Sequence, residues 1–425
     1  MFLRHRRRLW QVVLLLSLSV PCPGVDPVAI LQAPDAADGF GADFGRAVAI
    51  RGDWIAVGAP DDRQYADDSG AVYLFRREGA RWVVHQKLKG LQLVGDDMGF
   101  AVAMDGDWLV AGAPSFPSGP VIGGAGVGRA YVFRRTSRGT PQDLSDDRWE
   151  GAAILNPPPS QLCCNFGVSL DIAGDVIVVG RVSGEYQLGS AYVFRWDGAE
   201  WLPDGVLVGS DTQEGDSFGS AVATNGEDVF VGAPRRDEGA EDTGAAYVFE
   251  RHDGGWVQIS RLLAPDPASP PLFGSSIAAD DSLLVVTPHV LRLSGKKWLY
   301  ELTLSAQNAS EPLGSGGPVS VTDEVILIGP YFFGRRNGQW HQAATLTAGW
   351  SVALHGTYAV AGAYYVAFVH RICDGCGTLR EFATVQNCMY ADTTQAAVCG
   401  RLDFREDGHI DLADYGELVL VLVGP

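Results

Sequence analysis

Pairs of glycines thirteen residues apart recur along this chain, and each pair encloses two short apolar segments. The first pair is Gly45 and Gly58, in the string Phe-Gly, an apolar segment, a turn, a second apolar segment and Gly-Ala-Pro. A turn residue stands seven positions after each first glycine. Each copy therefore predicts a hairpin of two strands. Counting position 287, where Thr replaces Gly, the pairs are 45/58, 99/112, 167/180, 219/232, 274/287, 316/329 and 349/362.

Two further apolar segments follow most of these hairpins. The third segment contains Tyr and Phe, at 71–75, 130–133, 191–194 and 246–249. The fourth starts with Trp and has Leu six residues later. Four antiparallel strands in roughly 50 residues, repeated seven times, predict an all-β fold, a seven-bladed β-propeller. The six fourth segments are Trp82/Leu88, Trp149/Leu155, Trp201/Leu207, Trp256/Leu262, Trp298/Leu304 and Trp340/Leu346.

The seventh fourth strand is predicted at the other end of the repeat region. Val25 and Leu31 have the same six-residue offset, and AILQAPDAADGFG resembles the RLLAPDPASPPLFG that precedes the fifth pair. We expect residues 25–33 to complete the last blade, because this strand would close the ring and cover an open sheet edge.

The Phe-Gly and Gly-Ala-Pro strings resemble the FG-GAP repeat of integrin α-subunit propellers and of many secreted bacterial proteins. The resemblance covers residues 25–370, with four strong copies and three weak ones. It implies that loops of the propeller bind an extracellular protein or glycan. Calcium-binding members carry an Asp-rich loop between the two strands, whereas the turns here, such as Asp105-Gly106-Asp107, offer too few oxygens for a calcium cage. No metal is therefore expected in the propeller.

Arg51-Gly52-Asp53 spells the tripeptide that integrins recognise, but its counterparts, such as Ala173-Gly174-Asp175, indicate a structural turn. Acidic residues also precede several repeats. We interpret them as caps of turn amides rather than as metal ligands. They are Asp43, Asp96, Asp97 and Asp216.

The connections after Gly-Ala-Pro are long and varied at 61–69, 115–127, 182–189 and 235–243. Variable loops on a repeated scaffold often bind ligands, and aromatic and Arg side chains concentrate binding energy. The alternative is a set of solvated loops without a partner. The candidate rim residues are Tyr65, Phe116, Tyr186, Arg235 and Arg236.

No catalytic residue is predicted, because the histidines are scattered and no nucleophile, metal or phosphate motif is present. We expect a non-catalytic recognition, adhesion or scaffold protein. An extracellular propeller hydrolase or lyase is one alternative, and a matrix protein without a discrete ligand is another.

Residues 1–24 read as a secretory signal peptide, with arginines before an apolar segment from Leu9 to Val20. Its removal leaves 28 basic and 51 acidic side chains, a net charge of −23. We therefore expect a secreted or cell-surface protein that neither binds nucleic acid nor inserts into a membrane.

Residues 371–425 lack the repeat and are expected to form a small helical module with disulfides. A loop from 403 to 414 has carboxylates at EF-hand positions 1, 5, 9 and 12, followed by a predicted helix. This half-motif resembles a type I dockerin and implies Ca²⁺ and a cohesin-like partner, although Arg405 replaces the usual acidic or amide residue. The candidate metal residues are Asp403, Asp407, His409, Asp411 and Asp414.

Six cysteines remain after removal of the signal peptide, an even number in an oxidising compartment. Two disulfides in the tail are expected, with a four-cysteine zinc site as the alternative. The candidates are Cys163, Cys164, Cys373, Cys376, Cys388 and Cys399.

Overall fold

A computed structural model gives the architecture of residues 27–372. It leaves out 36–42, 65, 67, 92, 115–127, 138–143, 159–164, 183–187, 238–239, 267–271, 307–312, 314–316, 323, 337, 348 and 364. The strands form seven four-stranded antiparallel sheets. The predicted all-β seven-bladed propeller is confirmed. The predicted signal peptide lies outside the described residues, as does the predicted helical tail from residue 373 on, whereas Arg371 of that predicted tail ends the last strand of the propeller.

The first four blades carry the strong copies of the repeat. Blade 1 contains β2 (Val48–Arg51), β3 (Trp54–Ala59), β4 (Ala71–Glu78) and β5 (Arg81–Leu88). Blade 2 contains β6 (Ala101–Asp105), β7 (Trp108–Ala113), β8 (Arg129–Thr136) and β9 (Arg148–Leu155). Blade 3 contains β10 (Phe166–Ala173), β11 (Val176–Arg181), β12 (Ser190–Trp196) and β13 (Trp201–Leu207). Blade 4 contains β14 (Val222–Thr224), β15 (Asp228–Ala233), β16 (Ala245–His252) and β17 (Gly255–Leu262).

The last three blades keep the strand order although their sequences have diverged. Blade 5 contains β18 (Ile277–Ala279), β19 (Leu283–Val286), β20 (His289–Ser294) and β21 (Lys297–Thr303). Blade 6 contains β22 (Val319–Thr322), β23 (Val325–Ile328), β24 (Tyr331–Arg336) and β25 (Gln339–Thr345). Blade 7 contains β26 (Ser351–His355), β27 (Tyr358–Ala363), β28 (Val366–Arg371) and, as its outer strand, β1 (Ala29–Leu31).

The first strand of each blade is the inner strand of a closed ring. Each inner strand contacts the inner strand of the next blade, and β26 of blade 7 contacts β2 of blade 1. Apolar cores fill the spaces between neighbouring blades. Ile55 and Tyr73 of blade 1, for example, share one core with Val360 and Val369 of blade 7. Second strands are packed on both faces. Their sequences are therefore continuous apolar runs and do not alternate between apolar and polar residues.

The N-terminal strand closes the ring, as predicted. β1 pairs antiparallel with β28, with Ile30 opposite Phe368, and the Val28 amide donates to the Val369 carbonyl oxygen over 2.7 Å. The strand is shorter than the predicted 25–33. Proline has no amide to donate, so Pro27 and Pro34 bracket the segment that can pair.

The two motif glycines explain how adjacent blades approach each other. Gly58 of blade 1 packs on Gly99 of blade 2 so closely that a Cβ atom would overlap the Gly99 carbonyl oxygen. The same contact joins Gly112 to Gly167, and it joins Gly362 to Gly45 across the closure. Phe-Gly of one blade therefore meets Gly-Ala-Pro of the preceding blade. The motif is the contact surface between blades.

Candidate functional site

The two ends of the ring differ in what connects the strands. At one end, the turn face, lie the connections between first and second strands and between third and fourth strands. At the other end, the loop face, lie the connections between second and third strands and those between blades. Consecutive strands are antiparallel, so this division follows from the strand order in every blade.

On the turn face, side chains of one blade accept hydrogen bonds from the backbone of the next. Asp105 of blade 2 accepts from the Gly174 amide over 2.8 Å, and Asp171 of blade 3 accepts from the Thr224 amide over 2.9 Å. His355 of blade 7 accepts from the Gly52 amide over 3.1 Å. These polar groups hold neighbouring blades in register.

The Arg51-Gly52-Asp53 turn takes part in these internal contacts. Arg51 pairs with Asp105 of blade 2 at 2.9 Å, and Asp53 pairs with Arg77 in its own blade. Gly52 has a positive φ of 58°, as the turn requires. The contacts agree with the structural interpretation of the tripeptide.

Two titratable groups of the inner strands are shifted on the turn face. Burial raises the pKa of Asp171 to about 7, although two backbone amides oppose the shift. Burial also lowers the pKa of His355, and the nearby Arg51 charge adds to the effect. Both shifts follow from packing between blades.

On the loop face, the third-strand tyrosines of blades 1, 2 and 4 each bind an aspartate of the connection that precedes their blade. In blade 1 the Tyr73 hydroxyl contacts Asp35 at 2.6 Å and Asp62 at 2.7 Å, and Lys87 contacts Asp35 at 2.7 Å. Burial favours a higher pKa for Asp35, but the bonds from Lys87 and Tyr73 outweigh it and the pKa is lowered. Asp35, four residues after the end of β1, is thereby held against blade 1.

Blade 4 repeats this arrangement with arginines. The Tyr247 hydroxyl donates to Asp211 over 2.8 Å, and Arg261 pairs with the same carboxylate. Arg236 donates to the Asp211 carbonyl oxygen over 2.6 Å and lies 3.7 Å from Asp216. The pKa of Asp211 is lowered. Burial alone would raise it, but the hydrogen bond from Tyr247 and the charges of Arg236 and Arg261 outweigh burial.

The rim prediction separates into three cases. Arg235 is exposed on the loop face. The Arg236 side chain is only 13% exposed and is engaged with Asp211 and Asp216, so its contacts are structural. The other three rim residues lie outside the described residues: Tyr65, Phe116 and Tyr186.

The acidic residues before the repeats have different roles. Asp216 caps a turn as predicted, because its carboxylate accepts from the Gln213 amide over 2.8 Å. Asp43 and Asp97 have positive φ of 48° and 55°. Asp96 accepts from the Tyr131 hydroxyl, and burial raises its pKa despite this bond.

No three His, Cys, Asp or Glu side chains come together as a metal site in the part of the chain that the structure describes. No helix in that same part is long and apolar enough to span a membrane. The candidate tail ligands and all six candidate disulfide cysteines fall outside it: Asp403, Asp407, His409, Asp411, Asp414, Cys163, Cys164, Cys373, Cys376, Cys388 and Cys399.

The loop face is asymmetric around the ring. Between second and third strands, eleven residues separate β3 from β4 and fifteen separate β7 from β8, whereas two separate the strands in each of blades 5, 6 and 7. The connection from blade 1 to blade 2 also exposes Leu91, Leu93 and Val94. Three exposed apolar residues within one connection form a candidate contact surface.

Sequence reasoning missed the tyrosine anchors, although a signal was present. Asp35 and Asp211 each stand four residues after the leucine that ends an outer strand, Leu31 or Leu207. The resemblance between the segments before the first and fifth pairs includes this Asp. It could have been read as an anchor for the third strand.

One family model matches two segments of the chain. Residues 26–75 and 201–249 match the family described as FG-GAP repeat. These two segments of the chain are similar to FG-GAP repeats. The first segment contains β1 and most of blade 1, and the second runs from the outer strand of blade 3 into the third strand of blade 4.

Two solved structures are similar to this chain over most of its length. A protein from Lactobacillus plantarum is 11% identical, with a TM-score of 0.46, over 72% of this chain and 86% of that one. The computationally designed Ika8 protein is 12% identical, with a TM-score of 0.44, over 82% of this chain and 100% of that one. No curated protein matches the chain.

Proposed function

We propose that this chain is an extracellular recognition or adhesion protein whose loop face binds an extracellular protein or glycan. The observation that carries the proposal is the contrast between the two faces. Polar groups of the turn face are bound to neighbouring blades, whereas the loop face presents long connections and exposed Leu91, Leu93 and Val94. FG-GAP repeats are typical of extracellular and cell-surface proteins, which supports the same assignment.

The proposal assigns no catalytic residue to the protein and gives the tail a docking role. Ca²⁺ would be held in the 403–414 loop, and a cohesin-like partner would receive the module. Secretion through the predicted signal peptide would deliver the protein to its ligand.

The test is capture from the extracellular fraction of the source organism by immobilised full-length mature protein, with and without Ca²⁺. We expect a specific protein or glycan to be retained. A variant with Leu93→Asp and Val94→Asp on the loop face should lose it, whereas Arg51→Ala on the turn face should keep it. Equal retention by all three proteins would contradict a loop-face site.

Two further measurements separate the alternatives. Hydrolysis of a polysaccharide or peptide panel would identify an enzyme, and neither retention nor hydrolysis would indicate a matrix protein. Calorimetric titration with Ca²⁺ tests the tail, when the heat of binding to the full chain is compared with that of its Asp403→Ala/Asp414→Ala variant. Equal heats for both proteins would remove Ca²⁺ from this loop.

A further inference from the structure

The residue after the first glycine of each repeat lies within two positions of the start of the inner strand, at the loop-face mouth of the ring. Most of these residues are small or half-buried, but Trp350 of blade 7 is 61% exposed. A large aromatic side chain with more than half of its surface exposed is unusual at this point of a packed ring. The seven residues of the mouth are Arg46, Phe100, Val168, Ser220, Ser275, Gly317 and Trp350.

Trp350 lies at the joint between blade 7 and blade 1. Its amide donates to the Gly362 carbonyl oxygen over 2.6 Å, and the hydroxyl of Ser351, the next residue, donates to the Gly45 carbonyl oxygen over 3.0 Å. Arg46 follows Gly45 directly. The backbone therefore places Trp350 and Arg46 on either side of one hydrogen-bonded contact.

Arg46 continues this surface into blade 2. Its guanidinium lies over the Phe100 ring, 4.3 Å from the centroid. Stacking of this kind fixes the arginine while leaving its N–H groups at the ring edge as donors. Trp350, Arg46 and Phe100 thus follow one another across blades 7, 1 and 2.

Tyr365 borders the same joint. It lies in the two-residue turn between β27 and β28, and a Cβ atom at Gly45 would contact both ends of that turn, at Ala363 and Val366. Tyr365 is 47% exposed and has a φ of 68°. A bulky residue in the left-handed region costs on the order of 1 kcal/mol, and retained strain often marks a functional position.

We propose that these four residues, the aromatic arc of Trp350, Tyr365, Arg46 and Phe100, bind a neutral polysaccharide chain. The inference rests on the proposed function and names its ligand class. Aromatic rings carry negative faces, which attract the polarised C–H face of a pyranose ring. Arg46 supplies N–H donors for sugar hydroxyls.

The charge of the protein favours a neutral polysaccharide over an anionic one. The protein has a formal net charge of −19, which disfavours uronic acids and sulfated sugars. On the neighbouring blade 1 loop, burial raises the pKa of Asp61 and the charges of Asp43 and Asp68 add to the shift, whereas Arg63 and Arg46 oppose it. Acidic side chains that arginines partly compensate therefore lie beside the arc.

The size of the arc favours a sugar over a folded protein partner. A stable protein interface buries roughly 800 Å² on each side, with a core of several apolar anchors. The arc supplies four side chains beside short connections, because five residues link β25 to β26 and two link β27 to β28. Four side chains are too few for the core of a protein interface but enough to contact a few sugar rings.

The test is sedimentation of the mature full-length protein with insoluble cellulose, chitin, β-1,3-glucan and mannan. We expect retention on at least one of them. Trp350→Ala should weaken binding at least about tenfold, Tyr365→Ala should weaken it less, and Trp350→Phe should stay close to wild type. Tyr300→Ala, which removes a 49% exposed tyrosine on the outer strand of blade 5, is the matched control and should bind normally.

Melting temperatures of all variants are compared first, so that loss of binding is not loss of fold. Failure of the wild type to bind any of the four polysaccharides would overturn the inference, as would unchanged binding by Trp350→Ala. If the extracellular fraction still yields a ligand that depends on Leu93 and Val94, only the arc assignment fails. If both experiments fail, the proposed function fails with it.

Discussion

Gly362 of blade 7 packs on Gly45 of blade 1 so closely that a Cβ atom at Gly362 would overlap the Gly45 carbonyl oxygen. The two residues are 317 positions apart in the sequence. Their contact joins the last blade to the first, and it repeats the geometry of Gly58 on Gly99 within the strong copies. The ring therefore closes through the same contact that joins its internal blades.

Gly362→Ala should lower stability, because the new methyl group must displace backbone rather than a flexible side chain. Overpacking of this kind costs about 1–3 kcal/mol or more. We expect a melting temperature several degrees below wild type by calorimetry. Gly254→Ala, where a Cβ atom meets nothing within 4 Å, is the matched control and should melt with the wild type. Identical melting of both variants would show that the joint tolerates a side chain.

Closure by the N-terminal strand predicts opposite outcomes for two adjacent residues. Leu31 is buried in the core between blades 7 and 1, whereas Ile30 points to solvent. Leu31→Ala should cost about 2–4 kcal/mol, and Ile30→Ala less than about 0.5 kcal/mol. Thermal melting measures the stability of both variants.

Deletion of residues 25–33 should cause aggregation or a much lower melting temperature, because it removes the outer strand of blade 7. Light scattering and thermal melting measure these effects, and unchanged stability would rule out the closure.

The count of blades and the ring closure could be predicted from sequence, because both rest on spacings that recur. The glycine pair keeps its spacing even where Thr287 replaces one member, so blade 5 could be placed. The tyrosine anchors could not be placed in the same way. Asp211 and Tyr247 are 36 residues apart, and in blade 2 the equivalent partner is Asp96, at a different offset from the outer strand.

The site was predicted less well than the fold for a related reason. Arg235 and Arg236 are both arginines, so the sequence does not distinguish them. In the structure Arg236 binds Asp211, whereas Arg235 is exposed. Trp350 belongs to a weak copy of the repeat, where the motif gives little guidance. The connections around it, between β25 and β26 and between β27 and β28, are short. Their arrangement around Trp350 follows from the packing of blade 7 on blade 1, which the sequence does not show.

His289 predicts a pH dependence of stability. It stands where blades 1 to 4 have tyrosine, it is buried, and its Nδ1 lies 2.8 Å from the Thr303 hydroxyl. Burial lowers its pKa to about 4. Because the folded protein favours the neutral ring, this stability is present above about pH 6.5 and is lost as the pH falls toward 4.

The measurement for His289 is the difference between wild type and His289→Tyr in melting temperature from about pH 7 to pH 4. The variant should lose less stability on acidification, by up to about 3 kcal/mol. Asp171 acts in the opposite direction over this interval, since its raised pKa stabilises the folded state at low pH. The difference between the two proteins cancels the Asp171 contribution. Parallel curves for wild type, His289→Tyr and His289→Gln would contradict the assignment.

The two neighbouring arginines of the blade 4 loop should separate stability from binding. Arg236→Ala leaves Asp211 with one fewer cation and Asp216 without its nearby guanidinium, and should cost about 1–3 kcal/mol in thermal unfolding. Arg235→Ala removes an exposed side chain and should change stability by less than about 0.5 kcal/mol. If Arg235 contributes to the loop-face site, its variant retains less extracellular ligand at unchanged melting temperature. The assignment of Arg236 as structural requires that Arg236→Ala melt earlier than Arg235→Ala; the reverse order would exchange the two roles.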